Sequence, residues 1–93
     1  MDCEWDEAKS ERNRIARGLP FRVAIPLFEG FFTDEEDRRR DYGERRMVAV
    51  GRAEDEILVC IYTNRSGIRR IISLRRANRK ERHAYRTREF GRR

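Results

Sequence analysis

Residues 68–82 read "IRRIISLRRANRKER", four branched apolar side chains (Ile68, Ile71, Ile72 and Leu74) set among seven basic residues and one acid. A solvated basic tail has no use for isoleucines, and a fully buried strand excludes arginines, because unpaired charge is costly away from water. A sheet strand over 68–76 that carries charge, leading into a helix that carries more, accommodates both. From Ala77 the period becomes helical, with Ala77, Glu81, Ala84 and Tyr85 on one side and Arg79, Arg82 and Arg86 on another. Within the strand, Arg69, Ile71, Ser73 and Arg75 share one face by alternation, and Arg70, Ile72, Leu74 and Arg76 the other. Both faces mix charge with apolar residues, so alternation does not decide which one meets the core.

Upstream lie two further Val- and Ile-rich runs, "MVAVG" (47–51) and "EILVCIYT" (56–63), separated by the hairpin loops "RAEDE" and "NRSG". The middle run is apolar on both faces, which marks a central strand. Residues 32–38 and 45–52 can pair as a hairpin closed by the Asp41–Glu44 turn, and residues 2–5 as a short edge strand. From Asp6, "DEAKSERNRIARG" begins acidic and ends on Gly18, the signature of a helix complementing its dipole. "FRVAIPLFEGFF" places Phe21, Ile25 and Phe28 at helical spacing, but Pro26 limits it to a short irregular helix around 21–29. The expected architecture is α+β: two N-terminal helices, an antiparallel sheet of three to four strands and a C-terminal helix. The helices are expected on one face, giving two layers.

Ninety-three residues make a single domain over 1–93, with 87–93 expected as a flexible basic tail. Apolar residues are 38% of the chain and charged residues 43%, so the core is small and a partner chain would add needed stability. The net charge is +6, and Lys9 and Lys80 are the only lysines among 23 basic residues. Arginine grips a phosphate through a planar fork where lysine offers a point charge, so this bias points toward nucleic acid. Cys3 and Cys60 do not form a framework, and neither they nor the lone His83 has metal-ligand spacing, so no cofactor is expected. No apolar run approaches a membrane span and the N-terminus is acidic, which predicts a cytoplasmic protein without a membrane role.

Three motifs occur in order: "EWDEAKSERN" near the start, "DYGERR" in the middle and "YTNRSGIRRIISLRRANRKERHAY" near the end. Together, over about residues 4–85, they resemble the BrnT family, ribonuclease toxins of bacterial type II toxin–antitoxin modules. The resemblance implies a RelE-like fold and RNA cleavage without a metal, inhibiting translation and arresting growth. It also implies a BrnA-like ribbon-helix-helix antitoxin, joined in a 2:2 heterotetramer that binds operator DNA. One departure stands out: where BrnT-like sequences commonly carry Lys-His-Gly, this chain has Ala16-Arg17-Gly18. That loss keeps open a degenerate relative acting only as an antitoxin-binding corepressor, or a basic RNA-binding module.

In such a reaction the ribose 2′-hydroxyl attacks the adjacent phosphate, which requires cations at the phosphate, a proton acceptor and a proton donor. Arg65 in a loop, Arg70 and Arg75 on the strand and Arg79 on the helix are the cations expected to converge, with the resemblance favouring Arg70 and Arg75. Glu81 and Tyr85 match the motif's "ER..Y" and complete the candidate catalytic set, though residues four apart on a helix also pack together for structural reasons. Arg76, Lys80 and Arg82 are candidate RNA contacts. Glu44 and His83 are titratable alternatives, with His83 reading mainly as surface. Trp5 reads as packing, Tyr42 as either packing or base stacking, and Glu4, Asp6, Lys9 and Asn13 as capping and tethering groups.

Overall fold

The three Val- and Ile-rich runs become the adjoining strands of one sheet in the computed structural model, which describes residues 2–91. Along the chain come β1 (Cys3–Glu4), α1 (Glu7–Arg17), a 3-10 turn (Phe21–Val23), α2 (Ala24–Glu29) and β2 (Phe32–Glu36). They are followed by β3 (Met47–Ala53), β4 (Glu56–Arg65), β5 (Ile68–Arg76) and α3 (Arg79–Phe90). The α+β class, two N-terminal helical pieces and C-terminal helix are as expected. The sheet has five strands in the order β1-β5-β4-β3-β2. β2 to β5 pair antiparallel, but β1 runs parallel to β5, so the sheet is mixed.

Local chemistry sets the helix ends. The Asp6 carboxylate accepts the Lys9 backbone N–H at the start of α1, and Gly18, at φ 72°, stops the helix while donating its N–H to the Arg14 carbonyl. Pro26 falls in the first turn of α2, where a missing N–H forfeits no intrahelical bond. Asn78 and Glu81 form a reciprocal capping box at the start of α3. Residues 87–90 of the expected tail are helical, and residues 92–93 lie outside the described part of the chain.

β4 determines the layering. Leu58, Cys60 and Tyr62 pack with Leu19, Phe21, Ala24 and Leu27 from the N-terminal segments. Ile57 and Val59, pointing the other way, pack with Ala77 and Tyr85. Contrary to the expectation of helices grouped on one face, α3 covers the side opposite α2. A strand apolar on both sides requires cover on both, since leaving either bare keeps its apolar surface in water.

β5 carries a bulge. Ile61 pairs with Ser73 but Tyr62 pairs with Ile71, leaving Ile72 as the extra residue. Ile71 and Leu74, three residues apart, consequently enter the same core cluster. The same shift sends Arg69 and Arg76 to the side of α2, and Arg70, Ser73 and Arg75 to the side of α3. β1 covers only the start of the outer edge of β5; beyond it, Asn13 and Arg17 of α1 both donate to the Leu74 carbonyl. No described helix is long and apolar enough to cross a membrane.

Candidate functional site: an arginine face on the open half of the sheet

The apolar cluster under α3 ends on β4 at Val59. Beyond it the same face continues through Ile61, Thr63 and Arg65, opposite Ser73, Arg70 and Ile68. Arg65, Arg70 and Arg75 thus share this face, and Arg65 belongs to the end of β4 rather than to a loop. Arg75 and Arg70 pair with Val59 and Thr63, four residues apart, about 14 Å at a strand rise of about 3.4 Å.

Each of these arginines is held by a carboxylate from a different part of the chain. Glu4, the parallel-pair neighbour of Arg70, accepts from its Nη1 at 2.6 Å. Glu81 of α3 accepts from both Arg75 Nη1 and Nη2 at 2.8 Å, a two-bond fork. Glu44, in the turn before β3, accepts from Arg65 Nη2 at 3.1 Å. All three pairs are partly exposed, so each contributes at most about 1 kcal/mol and serves mainly to orient its guanidinium.

Glu81 is the most committed of the three. Its hydrogen bonds from Arg75 hold its carboxyl below the ordinary range, opposed by burial and helped by the Asn78 backbone N–H. The same contact raises Arg75 further above its already high value. A carboxylate stabilised in its charged form this way is a weak proton acceptor. Tyr85 is a core residue, 3% exposed, with its hydroxyl donating to the Phe31 carbonyl at 2.8 Å.

The remaining sequence candidates scatter. Arg79 and Lys80 begin α3, exposed and without ion pairs among the described residues, and Arg82 donates to the Ala77 carbonyl at 2.7 Å. Arg76 lies on the α2 side, bonded to Glu56 and to the Arg17 carbonyl that ends α1. His83 is exposed and lines a hollow with Arg52, Arg86, Thr87 and Phe90, away from Arg70 and Arg75. Trp5 packs against the core cluster while donating from Nε1 to Glu7.

The segment before β3 holds residues that the sequence did not single out. Asp37 is buried and accepts from the Arg39 guanidinium, the Arg39 backbone N–H and the Tyr42 hydroxyl. Those contacts, the Arg39 side chain first, hold its carboxyl far below the carboxylate range. The Tyr42 ring carries the Arg46 guanidinium at 4.2 Å and that of Arg40 at 5.4 Å. In sequence, "DYGERR" reads as a turn and a motif, with Tyr42 as packing or stacking, and neither Asp37 nor Arg46 stands out. Among the described residues, no group of three or more His, Cys, Asp or Glu gathers to hold a metal ion.

Forked cations strung along an open sheet face suit a ligand with repeated phosphates, and the α+β domain that presents them is of the size of a small nucleic-acid-acting protein. Residues 5–81 match the family described as "Ribonuclease toxin, BrnT, of type II toxin-antitoxin system", and the chain belongs to that family. Membership makes the protein a ribonuclease toxin with RNA as substrate and an antitoxin as partner. The match takes in all of β5 and Glu81 but ends before Tyr85. No individual curated protein matches the chain.

Proposed function

We propose that this toxin is a metal-independent endoribonuclease that inhibits translation in the bacterial cytoplasm. The observation that carries the reading is the placement of Arg65 and Arg70 on the part of the sheet face that α3 leaves uncovered, with Arg75 on the same face at the edge of α3. In the proposed reaction the 2′-oxygen attacks the neighbouring phosphorus, giving up its proton. The bond to the 5′-oxygen breaks and that oxygen gains a proton, leaving a 2′,3′-cyclic phosphate. The guanidiniums stabilise the extra negative charge on the five-coordinate phosphorus, and a preorganised donor at such a point contributes about 3–4 kcal/mol. Arg75 takes this role, Glu81 positions it, and Arg65 and Arg70 hold flanking phosphates further along the same face. Arg79 and Lys80, free of ion pairs among the described residues at the start of α3, extend the attraction for RNA.

The partner in this reading is a BrnA-like ribbon-helix-helix antitoxin, forming a 2:2 heterotetramer that binds operator DNA and covers the arginine face. A second reading, a degenerate relative that only binds the antitoxin, draws on Glu4, Glu44 and Glu81 all being ion-paired and Tyr85 being buried. Incubating purified protein with RNA in excess chelator separates them. The proposal expects cyclic-phosphate ends; intact RNA with folded protein supports the degenerate reading, and cleavage that appears only with magnesium refutes metal independence.

A further inference from the structure

Arg46 joins Arg65, Arg70 and Arg75 on this side of the sheet; Arg75 forks onto Glu81, Arg65 and Arg70 each make one hydrogen bond to a carboxylate, and Arg46 makes none among the described residues. Met47, the next residue, packs into the core cluster of the opposite face, so alternation directs Arg46 to the side of α3. Glu44, which bonds Arg65, also forms an ion pair with Arg46, but at 3.6 Å from Nε it is too far for a hydrogen bond. That Nε is buried with no partner among the described residues, while the side chain as a whole is 29% exposed.

An unsatisfied buried N–H costs free energy and calls for a reason. Its surroundings are tied together by hydrogen bonds. The Tyr42 ring supports the guanidinium at 4.2 Å, and the Tyr42 hydroxyl is anchored on buried Asp37 at 3.0 Å. The Asp37 N–H donates to the Arg46 carbonyl at 2.7 Å, and Thr63 Oγ1 donates to the Arg45 carbonyl at 2.7 Å. Backbone and ring together fix a cation whose outer N–H groups meet no acceptor among the described residues.

We propose that Arg46 is a phosphate-binding subsite, holding an RNA backbone phosphate next to the one at Arg70. Met47 pairs with Tyr62, and the next residue along β4, Thr63, pairs with Arg70. Arg46 and Arg70 therefore flank Thr63 at two strand spacings, roughly 10 Å. Tyr42 and Asp37 act through Arg46 as positioning residues. The inference rests on the ribonuclease reading above for its ligand, and its test keeps the two apart.

The probe is a short 2′-O-methyl RNA, which lacks the attacking hydroxyl, titrated at several salt concentrations. Arg46→Met is compared with Arg14→Met, which removes the same charge from α1. Arg46→Met should weaken binding about 10- to 100-fold, the worth of a charge-assisted hydrogen bond. It should also lower the slope of log K against log salt by about 0.7, one single-strand phosphate contact, where Arg14→Met leaves the slope unchanged. Arg46→Lys keeps a point charge without the fork, so it should retain the slope yet bind several-fold more weakly. Equal effects of the two Met variants overturn the subsite; if Arg46→Met does not fold, unchanged affinity in Arg46→Lys does so. Cleavage of unmodified RNA is scored separately. A wild type that binds through Arg46 yet cuts nothing refutes the ribonuclease reading and upholds the subsite.

Discussion

Replacing Glu81 by Gln separates a residue that positions from one that moves a proton. Glu81 makes two bonds to Arg75 and also accepts the Asn78 N–H as half of the α3 capping box. Glutamine keeps one acceptor oxygen, which can serve the cap or the guanidinium but cannot fork. The side chains of Arg75 and Glu81 are 40% and 26% exposed, so solvent screens the ion pair to at most about 1 kcal/mol. With part of the cap retained, the net loss is about 1 kcal/mol, or a Tm lower by about 4–8 °C in a domain of this size. The pH dependence has a definite sign. Because the folded-state pKa is depressed by Arg75, the wild-type contribution is present above the ordinary value of 4.5 and is lost as pH falls below it. The Gln variant should lack that component of acid destabilisation. Single-turnover cleavage at saturating protein should fall by about tenfold at most, through looser placement of Arg75. A general base costs about 10²–10⁴-fold when removed. A loss of that size, together with disappearance of the acid limb of the pH–rate profile, would refute the positioning role and make Glu81 the proton acceptor.

Two stability predictions test the packing that presents the face. A Cβ at Gly51 would lie 2.9 Å from Leu27 Cγ and 3.0 Å from Phe32 Cβ, and Leu27 is fully buried, so Gly51→Ala should cost about 1–3 kcal/mol in thermal melts; an unchanged Tm would show that α2 shifts freely over β3. Tyr62 has its hydroxyl pKa pushed up to about 12, by burial first and then by its bond to Asp34. The neutral phenol is thus favoured in the fold. The wild type should lose on the order of 2 kcal/mol as pH rises from about 10 to 12. Tyr62→Phe should be less stable at neutral pH but lose stability less steeply over that range, the buried Cys60 thiol, also pushed up by burial, leaving some alkaline sensitivity in both; equal alkaline sensitivity in the two proteins would contradict the assignment.

Much of the fold was legible because its strands are dense in Val and Ile and its turns carry Gly, Asn and Asp. The hairpin around "DYGERR" and the caps at Asp6, Gly18 and Asn78 follow from local chemistry that acts within a few residues. The position of α3 was legible too, since β4 is apolar on both sides, but expecting the helices on one face overlooked what that pattern demands. The facing of the arginines was not legible. A single bulge residue, Ile72, changes parity between Arg70 and Arg75, so alternation read across the whole strand misplaces one end or the other. The partners were hidden for another reason. Glu4 and Arg70 lie 66 positions apart, and only the parallel pairing of β1 with β5 brings them together. Tyr85 sits at the expected helical position, yet its hydroxyl is spent on the Phe31 carbonyl, a long-range contact that no local pattern announces.

The central claim is that one forked cation on the open sheet face stabilises the reacting phosphate. Arg75→Ala and Arg88→Ala remove equal charge from the C-terminal third; Arg75 lies on that face, whereas Arg88 is exposed near the end of α3. Single-turnover cleavage of a short RNA at saturating protein, with folding checked by thermal melt, compares them directly. The account predicts that Arg75→Ala slows the cleavage step by about two orders of magnitude or more while Arg88→Ala stays near wild type. Equal, mild defects in the two variants would contradict it, reducing Arg75 to one more contributor to bulk attraction.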